Sequence, residues 1–445
     1  MLSGRKARWW TIADSLTSKP RHPPRGDVWP TFEQELLLDA GLRKGPEACA
    51  AWAAWKRLRH DREADAASSH LLPLVYWNLR DVARRDPELQ ALRSTYLVAW
   101  GSYAIRAHRL GRIVSLLASE GIRTLVLKGL ALGLQYYPDP ATRVTRDIDV
   151  LIRGEDVDRA LQILTEEGWM PSHGPEERLF QAMQVRHGIH LIGPDGDVLD
   201  LHWRIFLGAV EEKAYGAFWD RAVAIQRSVS GTLHTLGPAD QLLHACVHGL
   251  KWHAMPSCRW VADVVMIAGA ADTTFDWGQL AESAREHRIG FCVGRALAYV
   301  ADRFGIVIPD EVGRAVSGRR ASWASRLELA IVTHSPYVLG PLSAAAKALV
   351  LYRRSGFRVV HTSRTVGLAR YLQERWALRS PWMVPLFGIR EVLRAALRGV
   401  AHRLIEAPLR RPRNRQTAAR RAVRSPRHKG PRSSPPRHGG TGSSM

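Results

Sequence analysis

The sequence contains few cysteines and no long apolar run. Its four cysteines are scattered without a CxxC pair, which argues against a disulfide-stapled fold or a structural zinc site. There is no uncharged apolar stretch of about 18 residues or more, and the N-terminus lacks an apolar segment followed by a small-residue cleavage site. We therefore expect a soluble, cytoplasmic protein without a transmembrane segment, for which peripheral membrane contact remains open.

Acidic residues are missing from the C-terminal tail. From Ala407 to Met445 there are 11 Lys or Arg and no acid, and Met1 to Arg25 contains six basic residues and one acid. Because the net charge of the whole chain is +22, the two tails account for most of it and the body between them is only mildly basic. The tails predict contact with a polyanion such as nucleic acid or an acidic membrane, or simple solvated disorder.

The spacing of apolar residues changes along the chain, and 445 residues allow two or three folded units. Helical periodicity precedes and follows a central stretch in which short apolar runs alternate with helices, as in an α/β unit. The predicted segments are a disordered basic tail (1–28), an N-terminal helical region (29–120), an α/β core (121–228), a helical domain (229–330), a basic amphipathic helical region (331–405) and a disordered Arg/Pro/Ser-rich tail (406–445).

Two aspartates separated by one residue lie on a predicted strand in the central stretch. Side chains alternate across a strand, so Asp147 and Asp149 share one face while Ile148, Val150 and Ile152 share the other. The two carboxylates are therefore expected to converge on one point.

A hairpin is predicted further along the chain. Segments 187–192 and 197–203 flank Gly-Pro-Asp-Gly at 193–196, a tight-turn sequence with Pro at its second position. Asp200 and His202 share one face of the second strand. Asp200 can thus join the aspartate pair as a third carboxylate, and His202 is placed to orient a carboxylate or an acceptor.

Three clustered carboxylates predict a metal site, because they repel one another unless cations neutralise them. Oxygen ligands select hard ions, Mg²⁺ or Mn²⁺. Two such ions about 3.5–4 Å apart can activate an attacking hydroxyl and stabilise a pyrophosphate leaving group. We predict Asp147, Asp149 and Asp200 as catalytic metal ligands, with Asp200 helping to deprotonate the hydroxyl. The alternative is a merely solvated Asp-x-Asp sequence.

Residues upstream of the aspartate pair suit phosphate. Lys128 and Gly129 lie between a predicted strand and a predicted helix, where the helix N-terminus favours an anion. Arg143 and Thr145 add a guanidinium and a hydroxyl just before the pair. We predict these four as nucleotide-binding residues. The alternatives are a solvated lysine at a strand end and an ion pair of Arg143 with Asp139.

Histidines recur on a predicted helix after Pro238. His244 and His248 lie four apart with His253 beyond them, a spacing that also occurs in metal sites. No HExxH pattern or cysteine ligand accompanies them, so packing or acceptor contact is the favoured interpretation. Arg259 and Asp263 are also four apart and are expected to pair across one helical turn.

Taken together, the motifs resemble a known family. They are Leu-Lys-Gly at 127–129, Tyr-Tyr-Pro-Asp-Pro at 136–140, Arg-Val-Thr-Arg-Asp-Ile-Asp at 143–149 and Asp-Leu-His-Trp-Arg at 200–204. In this combination the chain resembles the bacterial "uncharacterised nucleotidyltransferase" family of the polymerase-β superfamily, over about residues 90–265. Parts are also similar to the nucleotidyltransferase-fold proteins of abortive-infection systems.

The resemblance implies an α+β (mixed) fold class, in which a polymerase-β-like nucleotidyltransferase core with a mixed sheet is flanked by N-terminal and C-terminal helical regions. It implies binding of an NTP and Mg²⁺, with metal-ligand roles for Asp147, Asp149 and Asp200. The sequence departs from the superfamily in one place. Lys128-Gly129 replaces the usual Gly-Ser, and a longer insertion precedes Asp147, so the triphosphate is expected to be held differently.

The leading hypothesis is a metal-dependent nucleotidyltransferase that transfers an NMP from an NTP to an unknown acceptor hydroxyl and releases pyrophosphate. The acceptor is a small molecule, glycan, protein or RNA, and Arg204, with His202, is a candidate to contact it. An Asp-x-Asp glycosyltransferase that uses a nucleotide sugar shares the motif but does not explain Asp200 or Lys128. A non-catalytic nucleotide- or nucleic-acid-binding module on the same fold is the third hypothesis, and the intact carboxylates argue against it.

Overall fold

A computed structural model describes most of the chain between its two basic tails. The described residues are 28–59, 64–172, 186–206, 213–225, 232–251, 258–272, 274–316, 323–333, 342–355, 364–376 and 378–401. The predicted tails, apart from Val28, lie outside them, as does His253.

Helices make up most of the described N-terminal segment. They are α1 Phe32–Leu42, α2 Gly45–Arg59, α3 Ala66–Ser69, α4 Leu72–Leu79 and α5 Pro87–Ser119. Thr31 and Gln34 cap α1 reciprocally: the backbone N–H of Gln34 donates to the Thr31 hydroxyl at 3.2 Å, and the backbone N–H of Thr31 donates to Gln34 Oε1 at 3.0 Å. Asp86 caps the 33-residue α5 by accepting from the backbone N–H of Leu89 at 3.1 Å. These contacts satisfy backbone donors that a helix start leaves unpaired.

A seven-stranded mixed sheet forms the centre of the described structure. The strands are β1 Leu125–Val126, β2 Ile148–Leu151, β3 Met170–Pro171, β4 Gly188–Ile192, β5 Val198–His202, β6 Val223–Ala224 and β7 His234–Thr235. Their order is β3-β4-β5-β2-β1-β7-β6. Strand β2 runs parallel to β5 and antiparallel to β1, and β1 runs parallel to β7. The outer pairs are antiparallel. The predicted α+β (mixed) class is confirmed.

Helices accompany and follow the sheet. Those inserted between strands are α6 Lys128–Tyr136, α7 Val157–Glu166 and α8 Lys213–Asp220, together with 3-10 turns at Pro140–Thr142 and Gly154–Asp156. Those after the sheet are α9 Pro238–Lys251, α10 Arg259–Gly269, α11 Trp277–Glu286, α12 Gly290–Phe304, α13 Asp310–Val316, α14 Trp323–Thr333, α15 Leu342–Ser355, α16 Arg364–Arg375 and α17 Met383–Ala401. Among the described helices, none combines the length and the apolarity needed to cross a bilayer.

The predicted hairpin is confirmed, although its strands start one residue later than predicted, and the strand predicted to hold Asp147 also starts one residue later. Strands β4 and β5 pair antiparallel, and Gly196 in their turn has φ +80°, which costs little for a residue without a Cβ atom. Strand β2 begins at Ile148, so Asp147 precedes it. The reason is that Ile148, opposite Leu199, is the first residue of β2 with a partner on β5.

Apolar side chains form two large clusters. One lies beneath the sheet and contains the strand residues predicted to face inward, among them Ile148, Val150, Leu199 and Leu201. The other joins the N-terminal helices to helices α9 to α12. Strands β2 and β5 therefore turn one face into a dry core, and their polar side chains occupy the opposite face.

Candidate active site

Two aspartates lie side by side on neighbouring parallel strands. Asp149 on β2 is directly opposite Asp200 on β5 in the strand register. Both side chains are buried, because their strands sit in the middle of the sheet. The prediction that these two carboxylates share one place is confirmed.

Two cationic side chains contact this carboxylate pair. The ammonium of Lys128 donates to Asp149 Oδ1 at 2.7 Å and lies 3.8 Å from Asp200 Oδ2. The Nε2 atom of His202 lies 2.9 Å from Asp200 Oδ2 and 3.2 Å from Asp149 Oδ1. Lys128 is therefore not a solvated lysine at a strand end. We call Lys128, Asp149, Asp200 and His202 the carboxylate cluster.

The charges of the carboxylate cluster stabilise one another against burial. Burial alone would raise the pKa of Asp149, but the charge of Lys128 and the His202 hydrogen bond hold it below its ordinary value. Burial likewise opposes ionisation of Asp200, yet His202 and Lys128 hold its pKa well below the ordinary range. In return, the carboxylates raise the pKa values of Lys128 and His202 above ordinary, although burial would lower them. All four groups are thus favoured in their charged forms.

The backbone at Lys128 and Gly129 is shaped to bring the lysine to this position. Lys128 has φ +44°, a conformation that is uncommon for residues with a Cβ atom and that clusters at functional sites. A Cβ atom on Gly129 would lie 2.4 Å from Thr145 Oγ1. The Lys-Gly motif and the threonine before the aspartate pair are therefore in contact, and only glycine fits at position 129.

Asp147 stands just outside the carboxylate cluster. It is half-buried and precedes β2, and its pKa is raised mainly by the charge of Asp149 and then by burial. Among the described residues, the group whose potential ligand atoms all lie within 4.8 Å of one another is Asp149, Asp200 and His202. Asp147 is near enough to feel the charge of the cluster, and its role as a metal ligand stays a prediction.

The donor atoms of the cluster fit a divalent cation. Two carboxylates and one imidazole nitrogen converge, and carboxylate oxygens with a histidine suit Mn²⁺ or Mg²⁺ better than a thiolate-preferring metal. The Lys128 ammonium already supplies one positive charge there. A metal ion at Asp149 Oδ1 would compete with this ammonium for the same oxygen.

Arg143 forms a buried ion pair, but its partner is not Asp139, the one that the alternative interpretation named, and its nucleotide-binding role stays a prediction. Its Nε and Nη2 donate to the two carboxylate oxygens of Asp263 at 2.6 and 2.8 Å, and the Tyr137 hydroxyl donates to Asp263 at 2.7 Å. Asp139 instead accepts from the backbone N–H of Ala141 at 2.9 Å. Helix α10 presents Asp263 from 120 residues further along the chain, so no local spacing could reveal this pair.

Comparison with protein families gives one match. The model of the family described as uncharacterised nucleotidyltransferase matches residues 64–305, just over half of the chain. The chain belongs to the uncharacterised nucleotidyltransferase family. A search of curated proteins gave no match.

In this member of the nucleotidyltransferase family, a cavity of about 30 Å³ adjoins the carboxylate cluster. Basic and imidazole side chains line it on the side of Lys128: Arg143, His244, His248 and Arg259. Burial, then the charge of Lys128, lowers the pKa of His244 to about 3, so this histidine is neutral at physiological pH. Burial, then the charge of Arg143, lowers the pKa of Arg259 to about 10. An anion at the cavity would favour the charged form of Arg259.

The sequence did not single out Arg259 as part of this cavity. Its Nη1 donates to the backbone carbonyl of Val144, three residues before Asp147, so α10 contacts the loop that leads into β2. His244 and His248 line the cavity instead of forming a zinc site, and no cluster of three metal-binding groups includes them within the described part of the chain. Their four-residue spacing on α9 was the available signal.

Arg204 lies two residues after β5, where its backbone N–H donates to the carbonyl of His187 at 3.2 Å. The His187 ring lies 5.3 Å from the His202 ring, and burial, then the charge of His202, lowers the pKa of His187 to about 3. His187 thus covers the carboxylate cluster as a neutral group. Contact of Arg204 with an acceptor stays a prediction.

Proposed function

We propose that this protein transfers a nucleoside monophosphate from an NTP to a hydroxyl group of an acceptor. The bond between the acceptor oxygen and the α-phosphorus forms, the bond from the α-phosphorus to pyrophosphate breaks, and the hydroxyl proton is released. The observation that carries the proposal is the parallel register that sets Asp149 beside Asp200 next to a cavity lined by Lys128 and Arg259. Membership of the nucleotidyltransferase family supports it.

We further propose that Asp149 and Asp200 hold Mg²⁺ or Mn²⁺, with Asp147 as a third carboxylate and His202 beside them. When bound, one or two such ions would activate the acceptor hydroxyl and neutralise charge on the pyrophosphate. The pKa of Asp200 lies well below its ordinary range because His202 and Lys128 outweigh its burial. This favours a ligand role for Asp200 over the proton-accepting role that its sequence position suggested.

We assign to Lys128 a change of partner from a carboxylate to a phosphate. Its ammonium contacts Asp149 and also borders the cavity. A cavity of about 30 Å³ admits water-sized groups, so a triphosphate requires side chains to move aside. We propose that Lys128 leaves the carboxylates when an NTP and its cation arrive, and that it then pairs with a phosphate. Gly129 and Thr145 pack against each other next to Lys128 and hold the backbone from which its side chain would move.

The test is pyrophosphate release and label transfer. Purified protein is incubated with each labelled NTP, Mg²⁺ and a host extract that supplies the acceptor, and Asp149→Asn is assayed in parallel. We expect Asp149→Asn to lower the rate of release by about 100-fold or more, because it removes a charge that a catalytic cation needs. Asp195→Asn, in the hairpin turn, is the matched control and should keep the wild-type rate, since Asp195 is exposed and pairs with Arg109 on α5 at 2.8 Å, outside the carboxylate cluster.

Two outcomes would contradict the proposal. Equal release by wild type and Asp149→Asn would remove Asp149 from catalysis. Binding of an NTP by the wild type, with no label transfer in any extract tested, would favour the binding-module hypothesis. The labelled product, if one forms, identifies both the nucleotide and the acceptor.

A further inference from the structure

Helix α17 and the residue just before it expose a ridge of large apolar side chains. The ridge consists of Trp382, Leu386, Ile389, Leu393 and Leu397, which are 57–71% exposed. Their spacing of four, three, four and four residues places them along one side of the helix. A monomer rarely exposes a continuous apolar stripe of this kind unless it binds something.

The opposite side of α17 already has partners. The helix packs on α15 and α16, and the ring of Phe387 lies 4.9 Å from that of Trp376. A small core beneath it contains Leu351 and Tyr371. The packing of α15, α16 and α17 therefore leaves the apolar ridge directed outward.

Positive charge is concentrated in the same part of the chain. Residues 342–406 contain 12 Lys or Arg and three acids, and residues 407–445 contain 11 and none. By contrast, residues 26–341 contain 35 basic and 38 acidic residues. Arg390 and Arg394 are exposed next to the apolar ridge. Residues 26–341, which carry the carboxylate cluster, are thus close to neutral in net charge, and the part of the sequence that contains the ridge is strongly basic.

We propose that α17, with Trp382 at its start, binds an anionic lipid surface. An amphipathic helix with arginines beside its apolar side lies in the plane of a membrane interface, with its apolar side chains below the headgroups. Basic residues near it add attraction to anionic lipids, and an exposed tryptophan at the helix start suits the interface. A nucleic acid would be attracted by the same positive charge, but it would not bury the apolar side chains of the ridge. The proposal does not depend on the proposed reaction.

The test is co-sedimentation of the full-length protein with phosphatidylcholine vesicles, with and without phosphatidylglycerol, at physiological ionic strength. We expect binding to the anionic vesicles and little to the neutral ones. The double variant Leu393→Ser/Leu397→Ser should lower the partition coefficient by about tenfold or more for each leucine. Each substitution removes an aliphatic side chain that would be buried in the lipid. Both leucines are exposed, so their replacement should leave the fold intact, which circular dichroism checks.

The matched control is Leu97→Ser/Val98→Ser on α5, where the side chains are 52% and 70% exposed. This variant should bind anionic vesicles like the wild type. Three results would overturn the proposal: no binding to anionic vesicles, equal binding by the ridge variant and the wild type, or a single-stranded RNA oligonucleotide that binds while vesicles do not. Binding reduced equally by both double variants would also count against it.

Discussion

At the scale of single residues, the contact between Gly129 and Thr145 fixes how the Lys-Gly motif meets the aspartate pair. A Cβ atom at position 129 would lie 2.4 Å from Thr145 Oγ1 and 2.6 Å from Thr145 Cγ2. These distances are far below ordinary contact, so a methyl group there forces the loop or the helix start to shift. Because Lys128 precedes Gly129, such a shift would move the ammonium away from Asp149.

We therefore predict that Gly129→Ala lowers the free energy of unfolding by about 1–3 kcal/mol, the usual cost of overpacking. Thr145→Ala removes the two closest atoms, so the double variant should recover part of that loss. A double-mutant cycle from urea unfolding measures the coupling. Strictly additive effects of the two substitutions would show that the two residues do not constrain each other.

His202 provides a pH-dependent contribution to stability. Burial would lower its pKa, but the charge of Asp200 raises it above the ordinary value of 6.5. Because the folded-state pKa is raised, the stabilisation is fully present below pH 6.5 and is lost as the pH rises through the folded-state pKa. His187 differs, since its pKa of about 3 leaves it neutral throughout this range.

In chelator-containing buffer, the free energy of unfolding of the wild type should fall from pH 6.5 upward relative to that of His202→Gln, by at most about 1.4 kcal/mol per pH unit. His187→Gln is the matched buried-histidine control and should keep the wild-type slope above about pH 7.5, where His187 is neutral in both the folded and the unfolded protein. Urea unfolding at several pH values between 6 and 9 measures it. Parallel wild-type and His202→Gln curves would mean that His202 is not charged in the folded protein.

At the scale of elements, one ion pair joins the loop before β2 to helix α10. Arg143 and Asp263 contact each other through two hydrogen bonds, and Tyr137 adds a third to the same carboxylate. Both charged side chains are largely buried, with exposed fractions of 9% and 7%. The pair therefore sets the position of the loop against the helix that carries Arg259.

Asp263→Asn should lower the free energy of unfolding by about 3–5 kcal/mol, because it leaves the buried Arg143 guanidinium without its countercharge. Tyr137→Phe removes only the hydroxyl bond and should cost about 0.5–1.5 kcal/mol. Chemical denaturation of both variants gives the comparison. Similar small losses for the two would show that water reaches Arg143 and replaces the carboxylate.

At the scale of the whole molecule, the N-terminal helices and the helices after the sheet share one core. The Trp29 ring lies 5.7 Å from Trp260 and 5.2 Å from Tyr299, and Trp260 Nε1 donates to the backbone carbonyl of Val28 at 3.1 Å. Arg303 on α12 forms an ion pair with Asp39 on α1. The family match begins at residue 64, so α1 and α2 precede the matched region but belong to the same packing unit.

A fragment of residues 64–341 should therefore not unfold cooperatively. A fragment of residues 28–341, which includes α1 and α2, should unfold cooperatively. Leu36, Leu37, Leu38 and Trp52 are almost fully buried, and each contributes about 1.5–3 kcal/mol. Their loss is comparable with the whole stability of a domain, about 5–15 kcal/mol. Thermal unfolding followed by circular dichroism tests both fragments. Cooperative unfolding of the shorter one would show that α1 and α2 are accessory.

The sequence by itself determined the local elements and one face of the site. Alternation along a strand depends only on the chain's own geometry, so the pattern around Asp149 and around Asp200 predicted which residues enter the core and which do not. The turn at 193–196 likewise follows from residues within it. The fold class and the family could be inferred for the same reason, because the motifs are contiguous.

Only the tertiary structure decided which charges meet. Lys128 lies 21 residues from Asp149 and 74 from His202 in sequence, and Asp263 lies 120 residues from Arg143. No periodicity predicts such pairs, because they depend on how strands are ordered in the sheet and how α10 packs on the core. Burial then makes each uncompensated charge costly, so the sheet order and helix packing determine both the partners and their pKa values.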